Sequence, residues 1–399
     1  MVYYYSSTIF IMLFILQGSI FFTLIYLLIY SIKSIKNVPE LLPITNLKNI
    51  SFPTISIIIP ARNEEKHIEK CLDSLLKQEY DNYEIVVIND SSSDNTSQII
   101  ERYIITHNKI TYVNAQPKPE GWTGKNWACY QGYLQSKGDL FLFTDADTIH
   151  DPSVVSLAVT YLLSEKLDTL TVIPKTLAYD FWTKSTLPVL WIFSLARFSA
   201  LKANNPKTKV GYLFGSFFIM TRKTYEMVGT HKSVRQEIVE DAELGRKIKE
   251  QGFRLRVVHG EKYIKAVWSR DSSSLWHGLR RIMIPLYKKD KIKAIMMVIA
   301  MFVLILFPII MLPLSIKNTI DTKQETKSVI ILFLAIISIL LIVINNVLQL
   351  RYTVLQNLSY SLGFPLSGSF ILVAFLSSVI CASKKNIVKW RDRKYSIGV

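Results

Sequence analysis

The chain has 399 residues, 50% of them hydrophobic, with a mean hydropathy of +0.25. That excludes an ordinary soluble protein, and the three scattered cysteines, Cys71, Cys129 and Cys381, match no metal-ligand or redox spacing. A formal net charge of +16 suits either nucleic acid or an anionic membrane surface, but Lys33, Lys36, Lys288, Lys289, Lys291 and Lys293 flank apolar runs, which selects the bilayer as partner and no nucleic acid.

Ile9 to Tyr30 carries no charge and is long enough to cross the hydrocarbon core. Without a charged leading segment or a small-residue cleavage site, it reads as a retained anchor within residues 1–36 rather than a cleaved signal. Charge flanks only its C-terminal end, which predicts that this end faces the cytoplasm. A polar, proline-containing linker follows over residues 37–52.

From Pro53 to about residue 270 the texture is that of an α/β domain. Apolar strands at Ile55–Ile59, Glu84–Ile88 and Leu140–Phe143 alternate with helical stretches, which predicts a mostly parallel sheet covered on both faces. Between the first two, Ile68, Leu72, Leu75 and Leu76 recur at helical spacing, giving a predicted helix from about Glu64 to Gln78 with Glu65, Lys66, Glu69, Lys70 and Asp73 on its wet face. Phe181 to Leu201 is aromatic and flanked by Lys184, Arg197 and Lys202; it suits a buried core helix or an interfacial one equally.

An amphipathic interfacial segment is predicted over residues 271–293, then membrane helices over 294–383, in three runs: Ala294–Ile316, Val329–Leu350 and Leu362–Ala382. If all three cross, the basic tail (residues 384–399) lands opposite the α/β domain, against the positive-inside rule. Either one run is re-entrant or interfacial, the one holding Gly363, Pro365 and Gly368 being the candidate, or the tail defies the rule.

The chemistry concentrates at strand ends. "FTDADT" sets Asp145 and Asp147 on one side of the pleat, where bare carboxylates repel. A hard divalent cation, Mg²⁺ or Mn²⁺, removes that conflict and recruits phosphate oxygens; the bland alternative is a solvated turn. The first strand runs into Pro60-Ala61-Arg62-Asn63-Glu64 and the second into Asn89-Asp90-Ser91-Ser92-Ser93-Asp94. In open α/β sheets ligands bind beyond such carboxyl ends, and three polar ends together suggest a nucleotide floor. Glu240 and Asp241 open a further helix that ends at Gly252, where acids also suit the positive helix end.

"ISIIIPARNEE", "EIVVINDSSSDNT", "GWTGKNWACYQG", "FTDADT" and "VEDAELGRKIKEQGF" occur in the order typical of family-2 glycosyltransferases with a GT-A fold, which this chain resembles from Pro53 to Val258. "GWTGKNWA" and the flanking apolar helices are similar to the membrane-bound branch that glycosylates lipids such as carotenoids, sterols and ceramide. The resemblance implies a Rossmann-like GT-A catalytic domain facing the cytoplasm from the cell membrane. Its implied activity is inverting, metal-dependent transfer of a hexose from a nucleotide sugar, a UDP-sugar, to a lipid hydroxyl, with no obligate protein partner. By the same resemblance Pro60, Ala61 and Glu64 line the nucleoside pocket with Arg62 beside them, and Asp90 accepts from the uracil edge. Lys125 lies near the base or phosphates, Asp145 and Ala146 face ribose or sugar, and Asp147 is the direct ligand of Mn²⁺ or Mg²⁺, with Asp145 beside it. Asp241 is the base, next to Glu240, and Gly211 to Ser216 face sugar and acceptor.

Three departures stand out. Asn89 replaces an aspartate common in relatives. Where many carry Gln-x-x-Arg-Trp, this chain has His277-x-x-Arg280-Arg281, with Arg280 left to clamp the diphosphate; the loss of Gln and Trp and only three downstream apolar runs disfavour a processive polysaccharide synthase. "VKWRDRKY", residues 388–395, resembles the tail of the lipid-glycosylating enzymes. The competing readings are transfer to polyprenyl phosphate and a non-catalytic scaffold with a relic domain.

Overall fold

A computed structural model describes residues 7–43, 52–195, 198–322, 325–384, 387–390 and 393–396. The apolar runs form strands β1 (Ile55–Ala61), β2 (Tyr83–Asn89), β3 (Ile110–Asn114), β4 (Leu140–Phe143), β5 (Thr148–His150), β6 (Thr169–Ile173), β7 (Lys175–Leu177), β8 (Phe218–Thr221), β9 (Leu255–His259) and β10 (Ile264–Val267). Seven make one sheet in the order β3-β2-β1-β4-β8-β6-β9, and only β8 runs antiparallel to its neighbours. β5, β10 and β7 form a small second sheet.

The strands are apolar throughout because both faces are covered. Ile55, Ile57 and Ile59 pack into one core with Leu72, Leu75, Val155 and Val159, while Ile58, Val86 and Ile88 pack into another with Ala128 and Leu244. Each such fully buried aliphatic side chain contributes about 1.5–3 kcal/mol. The register sets Ala61 opposite Asn89 and Ile58 opposite Phe143, so the polar ends of β1, β2 and β4 share one rim.

The helix after β1 is shorter than predicted, Ile68–Leu76. Asn63 adopts a left-handed φ of 53°, and the backbone N–H groups of Glu64 and Glu65 donate to Thr96 Oγ1 (2.8 Å) and Asp94 Oδ2 (3.1 Å) rather than entering the helix. Local side-chain acceptors thus outcompete the helix at its start. Helix Phe181–Ser194 resolves the two readings of its stretch: Thr183, Ser185 to Leu190 and Ile192 are buried, and it packs between helices Thr326–Gln349 and Phe364–Lys384. Arg197 and residues 44–51 of the linker lie outside the described residues.

Among the described residues four helices are long and apolar enough to cross a membrane: Ile9–Asn37, Lys291–Asp321, Thr326–Val354 and Leu358–Ala382. Helix Ser272–Lys289 precedes the second, opened by a capping box between Asp271 and Ser274. Asp290 breaks the chain there, and its carboxylate caps the next helix by accepting from the Lys293 N–H.

The ends of these helices bear on the parity conflict. Leu350–Val354 packs against β7, so the third helix returns to the α/β domain. Strands β11 (Ile387–Trp390) and β12 (Arg393–Ser396) form an antiparallel hairpin, and β11 packs against helix Ser272–Lys289. Both ends of Phe364–Lys384 therefore pack near elements that bear on the α/β domain, the arrangement expected if this helix does not cross, although its length and apolarity suffice to span. In chains with the native cysteines replaced by serine, a cysteine at position 317 should react with a membrane-impermeant maleimide from the face opposite to one at 359. A cysteine at 389 should behave as the one at 359; opposite behaviour makes the last helix a span.

Candidate active site

A cavity of about 540 Å³ opens at the rim of β1 and β4, the place where strand order reverses direction across the sheet. Pro60, Ala61, Arg62, Glu64, Asp90, Lys125, Asp145, Ala146, Asp147, Glu240 and Asp241 all line it. Motifs separated by up to 180 residues in sequence thus converge on a single hollow.

Its floor is tied together by the strand-end loops. Arg62 donates through Nη1 to the carbonyls of Asp90 (2.6 Å) and Ser91 (2.8 Å), and the Asp90 N–H donates to the Ala61 carbonyl at 2.8 Å. Glu64, 1% exposed, pairs with Arg270 Nη2 at 2.6 Å. The departure at Asn89 has a local reason. Its amide donates to Asn114 Oδ1 and Tyr112 Oη, both at 3.1 Å, a role that the acceptor-only carboxylate of an aspartate would not fill.

The centre is a charge cluster. Lys125, in the first turn of helix Gly124–Gln135 behind the Thr123 cap, places Nζ 2.7 Å from Asp145 Oδ1 and 2.7 Å from Glu240 Oε1. Burial works against its charge, but Asp145, Glu240 and Asp241 more than compensate, and its pKa stands well above the ordinary lysine value. Lys125 is thus engaged with carboxylates inside the cavity. Asp241 begins helix Glu240–Glu250 and is held at both oxygens: Oδ2 accepts from the Gly215 N–H at 3.0 Å and Oδ1 from the Ala242 N–H at 2.8 Å. Burial first, then the neighbouring Glu240, push its pKa up to about 6, against the pull of Lys125.

Gly215 makes this arrangement possible. A Cβ there would sit 3.0 Å from Lys125 Nζ and 3.2 Å from both Asp145 Oδ2 and Asp241 Oδ2, so a larger residue would press on all three charged groups. Thr144 Oγ1 pins the same loop to the end of β4 by donating to the Ser216 carbonyl at 2.7 Å.

The sign of the pH effect follows. A base works ionised, so the rate should fall as pH drops through about 6, the value at Asp241. Glu240→Gln removes a neighbouring negative charge and should move that acid limb to lower pH, read as kcat/KM against pH; an unmoved limb would assign it to another group.

Among the described residues no group of three or more His, Cys, Asp or Glu is placed to hold a metal by itself. The donor set still fits a hard cation shared with substrate, since one or two carboxylates plus phosphate oxygens suffice. Asp145, with Oδ1 on Lys125, and Asp147 are the lining carboxylates that the motif offers to such an ion.

The far wall is helix Ser272–Lys289. Ser274, His277, Gly278, Arg281 and Ile282 face the cavity, while Leu275, Leu279, Met283, Ile284 and Tyr287 are buried. Arg280, assigned to the diphosphate by motif position, is not among the lining residues; Arg281 is. Consecutive helical residues differ by about 100° in direction, which carries Arg280 off the lining stripe. Projecting that stripe from the start set by the Asp271–Ser274 box would have selected Arg281. Trp268 and Arg270, also missed, lie in the loop between β10 and this helix, where no periodicity points to them.

Residues 56–229 match the model of "Glycosyl transferase family 2", so the chain carries a domain of that family. It is similar to 4,4'-diaponeurosporenoate glycosyltransferase of Staphylococcus aureus strain N315, 24% identical over 359 residues that cover 88% of this chain and 91% of the relative. The enzyme of the same name from the bovine strain RF122 / ET3-1 is 25% identical over 356 residues, covering 88% and 90%. Among solved structures, the mannosyltransferase PcManGT of Pyrobaculum calidifontis, in complex with GDP-Man and Mn²⁺, superposes with a TM-score of 0.54 at 16% identity, covering 92% of this chain and 99% of its own. That likeness establishes the GT-A fold.

Proposed function

We propose that this glycosyltransferase moves a hexose from a UDP-sugar to the hydroxyl of a membrane lipid, with inversion at the anomeric carbon. The observation that carries the reading is the shared cavity: an ionic rim suited to a nucleotide faces a helix whose other side is buried among the apolar helices. The relatives named for a carotenoid acid support a lipid acceptor.

The chain's own residues account for each step. Asp90 and the β1 loop hold the nucleoside, with Arg62 fixing their separation. Lys125 orients Asp145 toward the sugar side and Glu240 beside the base. Asp241 takes the acceptor proton as oxygen attacks the anomeric carbon and the nucleoside diphosphate departs from the opposite face. A divalent ion held by Asp147, Mn²⁺ or Mg²⁺, would supply neutralising charge to the leaving diphosphate. One displacement inverts the linkage and needs no carboxylate nucleophile.

A second reading has a specific ground: the ending of "diaponeurosporenoate" denotes a carboxylate acceptor in that relative. A carboxylate, like a polyprenyl phosphate, arrives already ionised and needs no base. A relic scaffold is disfavoured because the Lys125, Asp145, Glu240 and Asp241 cluster is intact and costly to bury without use.

Calorimetry of the full chain with UDP and with GDP, each with and without Mn²⁺, tests the donor site. Metal-dependent binding of UDP is the expected result; binding of neither nucleotide refutes the enzymatic reading. Incubation with labelled UDP-sugars and total host lipid, followed by mass spectrometry, identifies the product.

A further inference from the structure

We propose that Trp268 is the platform on which the apolar part of the acceptor rests next to its reacting end, and so a residue that decides which lipids are accepted. The inference rests on the lipid-acceptor reading above and adds the residue that would recognise the chain.

Three observations meet at this side chain. First, Trp268 lines the cavity and also packs against the apolar cluster formed by the membrane-type helices, so it stands where the ionic rim gives way to lipid-compatible surface. Second, its benzo edge is seated on Gly278 of helix Ser272–Lys289. A Cβ at Gly278 would lie 3.3 Å from Trp268 Cη2 and 3.4 Å from Cζ3, so a β-branched residue there would crowd the indole edge. Third, the loop that carries it is fastened on the donor side, because Arg270, two residues on, pairs with the buried Glu64 at 2.6 Å. The indole is therefore held at both ends of a short strap between nucleotide floor and bilayer.

The surroundings say what it would take. Ile238, Val267 and Ile282 add apolar surface to the cavity, and Ile238 belongs to the same apolar cluster as Trp268. A rigid aromatic face bounded by aliphatic groups suits an extended hydrocarbon, polyene or isoprenoid, better than a polyol. Asp241 lines the same cavity, so an acceptor lying on Trp268 would present its polar end to the reacting cluster.

The test uses the full chain in nanodiscs, with all-trans-retinol and all-trans-retinoic acid as polyene probes followed by their own absorbance and fluorescence, and UDP with Mn²⁺ followed by calorimetry. Trp268→Ala should weaken binding of the polyenes about tenfold or more while UDP affinity stays within about twofold, which also reports that the domain is folded. Trp268→Phe should restore most of the loss, and Gly278→Val, which crowds the indole edge, should copy Trp268→Ala. Unchanged polyene binding in Trp268→Ala overturns the platform, as does a loss confined to UDP, which would move the indole to the donor. Failure of the native chain to bind either polyene while still binding UDP removes the lipid-acceptor reading itself.

Discussion

Asp241→Asn should lower turnover with an alcohol acceptor by about 10²–10⁴-fold and leave UDP affinity within about twofold. The substitution is nearly isosteric, and the acceptor oxygen it retains still receives a backbone N–H, from Gly215 or Ala242. What disappears is the proton acceptor. The amide also removes one negative charge from a cluster in which Lys125 already pairs with Asp145 and Glu240, so the fold should not suffer. The same variant separates the two acceptor chemistries. A carboxylate or phosphate nucleophile has no proton to lose, and its transfer should be nearly intact, or faster once the repulsion from Asp241 is gone. Single-turnover rates with retinol and with retinoic acid, measured in parallel, read this directly. Equal losses on both acceptors would mean that Asp241 orients the acceptor and is no base.

How much of this site is legible in the sequence depends on where its residues sit. The rim residues were legible because strands end them: an apolar run that stops at Pro60, Asn89 or Phe143 fixes which residues come next at the carboxyl edge, and the register then aligns those edges. The sheet's one reversed strand was not legible, since β8 is as apolar as the β4 and β6 strands it pairs with and largely buried. Motif position placed Arg280 in the site where helix rotation placed Arg281; a motif fixes spacing but not the angular phase of the helix that bears it. Trp268 and Arg270 escaped for a different reason. Their roles come from contacts to Gly278 and Glu64, and Glu64 lies 206 residues from Arg270. Lys125 was named from its motif, but its pairing with Asp145 and Glu240 exists only once three separate segments meet.

That pairing frames the second large effect. Asp147→Asn should reduce transfer by about 10³-fold, with loss of any Mn²⁺ dependence in nucleotide binding, because a neutral amide is a poor ligand for a hard dication. Asp145→Asn should also impair transfer, yet its calorimetric signature should differ. Asp145 is held by Lys125 at 2.7 Å, so removing its charge frees the lysine toward Glu240 and Asp241 and leaves Asp147, the carboxylate proposed for the ion, in place. UDP binding in Asp145→Asn should therefore still respond to Mn²⁺, and the acid limb of its rate profile should move, since Asp145 is one of the charges that raise the Asp241 pKa toward about 6. The direction is fixed by sign: one negative neighbour fewer, and a lysine drawn nearer, both favour the ionised base and shift the limb to lower pH. Loss of Mn²⁺ response in Asp145→Asn but not in Asp147→Asn would exchange the two aspartates, making Asp145 the metal's partner and Lys125 its stand-in when the ion is away.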